Sequence, residues 1–81
     1  MRRPTLKIMN RTAKFSLGGR PYVELNHLLK LKGLCASGGE AKGVIADGRI
    51  TVDGQVELRK RCKILAGQIV NFEDVSITVI D

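Results

Sequence analysis

Residues 34–54 read LCASGGEAKGVIADGRITVDG, and two changes of period inside this stretch decide the fold. Ser37 followed by Glu40 has the spacing of a capping box, in which the hydroxyl accepts from the N–H three residues on and the carboxylate reaches back to the serine's own N–H. Ala41, Val44 and Ile45 then recur at helical intervals, and Gly48 supplies a C-terminal stop. From Arg49 the period falls to two. Arg49-Ile50-Thr51-Val52 and Gln55-Val56-Glu57-Leu58 flank Asp53-Gly54, a dipeptide suited to a two-residue hairpin turn. Gly38, Gly39 and Gly43 weaken the helix, each by about 1 kcal/mol against Ala at an interior position and by less near the cap. Glycines there point to close approach at the helix start or to tight packing on a neighbouring helix.

Working outward, Val23, Leu25, Leu28, Leu29 and Leu31 recur at near-helical intervals between Pro21 and Gly33, with Pro21 suited to a first helical turn. This predicts an earlier helix with Lys30 and Lys32 in its last turn, where cations favour the dipole. Downstream, residues 62–65, 69–72 and 75–80 are strand candidates, separated by Ala66-Gly67 and Glu73-Asp74. Upstream, Phe15-Ser16-Leu17 ends at Gly18-Gly19 and suits a short edge strand. Residues 1–14 show no clear period and are expected to be a flexible basic tail, leaving 15–81 as one domain. Two helices followed by strands imply an α+β, two-layer architecture, with two N-terminal helices packed on a small, mainly antiparallel sheet.

A chain of 81 residues has room for one core. Hydrophobic residues make up 43% and charged residues 27%, a globular composition rather than a disordered one. Aromatics are 4% with no Trp, so Leu, Ile, Val and Ala must build the core, and stacking on unpaired bases is not expected as a main mode of binding. The net charge of +6 favours an anionic partner, most often nucleic acid. That charge is unevenly placed. Residues 1–20 hold six of the 14 cations and no acid, whereas 21–81 hold the other eight cations and all eight acids. The case for a binding surface on the domain therefore rests on clustering.

Cys35 and Cys62 are too few for a disulfide framework, and neither belongs to a CxxC. With His27 as the lone histidine, Cys and His alone cannot assemble a structural zinc set, and no cofactor motif is present. Pro4, Lys7, Asn10 and Arg11 interrupt any apolar run near the N-terminus, so a signal-peptide core is missing, and no stretch approaches a membrane span. A reduced, cytoplasmic, monomeric protein is the expectation. Catalysis is not expected, because no nucleophile with a base and no paired carboxylates appear. His27 lies three residues from Glu24, an ordinary pairing on an exposed helix. Ser37-Gly38-Gly39 resembles an anion-cradling turn but lacks the GxxxxGK[ST] spacing, so alone it is a helix cap.

The informative cluster is Arg59-Lys60-Arg61 with Lys63, four cations in five positions directly after the hairpin. It creates local positive potential, and a merely solubilising turn is the alternative. Lys42 projects one turn beyond the Ser37 cap, where it can meet a phosphate together with the first amides of that helix. At this point the order of features resembles a known family. Leu34-x-x-Ser37-x-x-x-Ala41-Lys42-x-x-Ile45-x-x-Gly48-x-Ile50-x-Val52-Asp53-Gly54, preceded by a leucine-rich helix, is similar to the alpha-L RNA-binding motif of the ribosomal small-subunit protein four type. Phe15-Ser16-Leu17-Gly18, Val23-Glu24-Leu25, Arg59-Lys60-Arg61-Cys62-Lys63-Ile64 and Ala66-Gly67-Gln68 look like its stand-alone bacterial YbcJ-type subgroup. The resemblance spans about residues 21–80.

The resemblance implies a non-catalytic RNA-binding module that touches structured RNA, of the ribosomal or transfer class and in a ribosome-associated setting, with the start of its second helix and the adjoining hairpin. It points to Ser37, Lys42, Arg49, Arg59, Lys60, Arg61 and Lys63. Gly38 stands where the family usually places Arg, Asp53-Gly54 where it has Asn-Gly, and Gly67-Gln68 where it has Gly-Asp. Four cations beside the hairpin offset the missing arginine through phosphate contacts, which favour shape over sequence. A protein-interaction module docking on an acidic partner, through the Phe15–Leu17 edge or the basic surface, is the alternative.

Overall fold

The computed structural model describes residues 11–81, in the order β1 (Arg11–Ser16), β2 (Val23–Glu24), α1 (Leu25–Leu31), α2 (Gly38–Ala46), β3 (Ile50–Val52), β4 (Gln55–Val56), β5 (Lys63–Ile64), β6 (Ile69–Phe72) and β7 (Val75–Ile80). Two helices and a mainly antiparallel sheet make the expected α+β domain, but the helices are not its first elements, because β1 and β2 precede them.

The capped helix forms as its residues require. The Ser37 hydroxyl accepts from the Glu40 N–H at 3.2 Å. Glu40 reaches back one residue further than a capping box demands, accepting from the Ala36 N–H at 2.7 Å. After α2, Gly48 adopts φ 77°, the left-handed stop. In the hairpin turn, Asp53 and Gly54 have φ of 52° and 86°, both in the left-handed region that a type I′ turn needs. Asp53 is held there by its carboxylate, which accepts from the Ile69 N–H at 3.0 Å and the Gln68 side chain at 3.2 Å. Paired strand on the far side of the turn ends at Val56, short of the expected Leu58.

The sheet contains five strands in the order β1-β7-β6-β3-β4, and β2 pairs with β5 in a separate two-stranded ladder. All pairings are antiparallel except β1 with β7, whose register runs from Arg11 opposite Val75 to Ser16 opposite Ile80. Residues 11–14, expected in the tail, are therefore sheet, and the domain begins earlier than residue 15 among the described residues. The rest of the expected flexible tail, residues 1–10, lies outside them. The edge strand expected near Phe15 is present, longer and parallel. The first helix starts at Leu25 rather than near Pro21, because Val23 and Glu24 are drawn into pairing with Ile64 and Lys63.

Each helix buries one stripe at i, i+3 and i+4: Leu25, Leu28 and Leu29 on α1, and Ala41, Val44 and Ile45 on α2. These meet the inward residues Ile50, Val52, Val70, Ile77 and Val79 of the sheet, with Leu17, Val23, Cys35 and Ile64 completing the core. Among the described residues none of the buried side chains is polar or charged, so burial of aliphatic surface is the main stabilising term. The opposite sheet face, with Thr12, Lys14, Ser16, Thr51, Asn71, Ser76 and Thr78, has no helix over it, as period-two alternation requires. Among the described residues no helix is long and apolar enough to cross a membrane, and no group of three or more potential metal ligands gathers.

Candidate nucleic-acid interface

The basic loop is anchored by backbone. No side chain caps α1, and Glu24 at its N-cap position makes no side-chain bond to the helix amides. Instead the Leu25 N–H donates to the Cys62 carbonyl at 2.9 Å and the Asn26 N–H to the Lys60 carbonyl at 3.0 Å. Two otherwise orphaned helix donors thus fix the path of residues 60–62. The loop's cations gather at the positive end of the α1 dipole, an arrangement that works against stability and raises the local potential for an anion. Arg59, Arg61, Cys62 and Lys63 line a shallow concavity of about 420 Å³.

Carboxylates temper this charge. Glu57 accepts from Arg59 Nε at 2.9 Å and from Arg59 Nη2 at 3.2 Å, a two-point grip on one guanidinium. Arg61 pairs with Glu24 at 3.4 Å, and Arg49 pairs with Glu73 while lying over the Phe72 ring at 5.3 Å. No acid falls within Arg59 to Lys63, but Glu57, two residues earlier, folds back onto Arg59, and Glu24 arrives at Arg61 from β2. Four cations still face two partner carboxylates. Arg59 and Arg61 keep 78% and 77% of their side chains exposed, where water and salt screen an ion pair, so a phosphate can replace these partners. Lys60 and Lys42 make no ion pair among the described residues.

The seven candidates form two groups. Arg59, Lys60, Arg61 and Lys63 sit at the start of α1. Ser37 and Lys42 belong to α2, and no hydrogen bond or ion pair among the described residues joins them to the loop. Arg49 lies between. Its charge opposes the rise in the Cys35 pKa that burial and, next, Glu40 produce, which places it in electrostatic reach of the α2 start. On its other side the Glu57 N–H donates to the Ile50 carbonyl at 3.0 Å, continuing the hairpin toward the basic loop. Cys62 is half-buried within that loop, its thiol pKa pushed up by burial first and then by Glu57. His27 is exposed on α1 and makes no ion pair with Glu24 among the described residues.

Residues 15–80 match the S4 domain family, from the last two residues of β1 to the end of β7. The chain belongs to the S4 domain family. A protein of Escherichia coli strain K12, named "Putative RNA-binding protein YbcJ", is 57% identical over 68 residues, covering 84% of this chain and 97% of that one. "Uncharacterized protein YbcJ" of Shigella flexneri matches to the same extent. The solution structure of E. coli YbcJ, described as revealing an alpha-L motif involved in RNA-binding, superposes with a TM-score of 0.69 at 55% identity, over 90% of this chain and 92% of that structure. The S4 assignment agrees with the resemblance carried by Ser37 to Gly54. Tyr22, Glu24 and Glu57 adjoin the basic loop and were absent from the expected site. Reading Tyr22-Val23-Glu24 as a strand, with residues 22 and 24 on one side, is the signal that finds the first two.

Proposed function

We propose that this chain is a non-catalytic RNA-binding protein that grips structured RNA, of the ribosomal or transfer class, through the Arg59–Lys63 loop, with Arg49, Lys42 and the Ser37 end of α2 extending the contact. The observation that supports this reading best is the backbone anchoring of the loop to the first N–H groups of α1 at 2.9 and 3.0 Å, which presents cations on a fixed frame. A fixed frame matters because a phosphate contact then needs no prior ordering of the backbone. The names of the relatives and the S4 family point the same way. Phosphate contacts by lysine and arginine give affinity and orientation with little sequence information, which suits recognition of A-form RNA by shape. The protein acts as a single copy in the cytoplasm on this reading, and both cysteines are free, as a reducing compartment keeps them.

The test is a titration of structured RNA at several salt concentrations, with wild type and a variant in which Arg59, Lys60, Arg61 and Lys63 are alanine. The variant should bind more weakly, and the dependence of log affinity on log salt should flatten by about one per phosphate-contacting cation removed. Equal affinities would remove the loop from the interface. The second reading, docking on an acidic protein, draws support from the open edge of β4, where Val56 is exposed and exposed Leu58 follows two residues on. Retention of one partner after nuclease treatment would favour it.

A further inference from the structure

Tyr22 is the one tyrosine of a chain that has no tryptophan, and it lies outside the core. Val23 and Ile64, paired across β2 and β5, point inward and are 4% and 0% exposed. Alternation therefore turns Tyr22, Glu24, Lys63 and Leu65 outward together. Glu24 is directly opposite Lys63, and continuing the register by one residue sets Tyr22 opposite Leu65. The structure agrees: Lys63 Nζ lies 5.0 Å from the Tyr22 ring centroid, Arg61 reaches Glu24 at 3.4 Å, and Tyr22 and Leu65 are 36% and 50% exposed. This side of the ladder thus carries an aromatic ring with open surface, an apolar neighbour and two cations, and Lys63 also belongs to the concavity formed with Arg59, Arg61 and Cys62.

An exposed π-face beside phosphate-binding cations has the composition that holds a single unpaired base: the ring takes the base and the cations take the flanking backbone. We propose that Tyr22 is a stacking platform for one unpaired nucleobase of the bound RNA, with Lys63 and Arg61 on the adjoining phosphates. The proposal rests on the RNA-binding reading and narrows its substrate class to structured RNA carrying an unstacked base at a loop, bulge or end. The ring is too lightly covered to be a core residue, and its cation–π contact with Lys63 serves a second purpose by holding the ammonium at the edge of the stack.

Because Tyr22 is the only tyrosine and Trp is absent, intrinsic tyrosine emission reports on this ring alone. Wild type and the variants Tyr22→Phe, Tyr22→Leu and Tyr22→Ala are titrated with two RNAs, a stem closed by an unpaired loop and the same stem as a blunt duplex. The wild type should show quenched emission with the loop RNA and not with the duplex. Tyr22→Leu and Tyr22→Ala should each lose between about 5-fold and about 150-fold in affinity for the loop RNA, the worth of one stacked base, with duplex affinity and salt dependence unchanged. Tyr22→Phe, which keeps the ring, should retain loop affinity. Wild-type affinity for the loop RNA in Tyr22→Ala, or an equal loss on both RNAs, overturns the stacking role while leaving the RNA-binding reading in place. Failure of the wild type to bind either RNA overturns both.

Discussion

Glu57 titrates far from an ordinary glutamate. The Arg59 side chain first, and the Arg59 backbone N–H second, hold its carboxylate and lower the pKa from 4.5 to about 2. The folded state therefore binds fewer protons than the unfolded chain between those values. Stability contributed by this group is complete above about pH 4.5 and is lost as pH falls toward 2. The expected outcome is that Glu57→Gln loses less thermal stability than wild type between pH 7 and pH 3, measured by melting curves at both. The same pair restrains Arg59, whose Nε and Nη2 are both engaged. At this scale the sequence was a partial guide. Arg59, Lys60, Arg61 and Lys63 were legible as a cluster because they are adjacent in the chain, but Glu24 and Glu73 reach Arg61 and Arg49 only through folding.

Elements whose signals are local were readable, and those decided by distant partners were not. The cap, helix stop and turn of residues 37–54 all lie within a few positions of one another, and they appear where expected. Residues 75–80 form β7 as read, since strict alternation of Val75, Ile77 and Val79 admits one face only. Val23 fits a helical interval equally well. Its pairing with Ile64, far along the chain, decides for β2 and trims α1 to seven residues. Two predictions belong here. Ser37→Ala removes the acceptor for the Glu40 N–H and should cost about 1 kcal/mol in urea unfolding. Two glycines inserted between Lys60 and Arg61 should cost about 2 kcal/mol, one for each α1 donor released, and should weaken RNA binding although no charge has changed. An inserted variant with full affinity would show that the cations work without their frame.

For the molecule as a whole, the fold class was legible because two apolar helical stripes need a sheet to cover them, and the strands that supply it alternate in the same chain. What eluded the sequence was the extent of the first strand, since nothing within residues 11–14 signals a partner as remote as 75–78. That strand is integral. Leu17, immediately beyond it, is 1% exposed, and Leu17→Ala should destabilise the domain by about 2–5 kcal/mol in denaturant titration. The parallel ladder also has a consequence in time. Synthesis runs from the amino end, so the first strand emerges early and waits with its hydrogen-bonding edge open until residue 80, the partner of Ser16, has been added. Closure of this ladder is thus deferred until residues 75–80 have been made, and a nascent chain halted before Val75 carries the residues of α1 and α2 but no template on which β1 can settle.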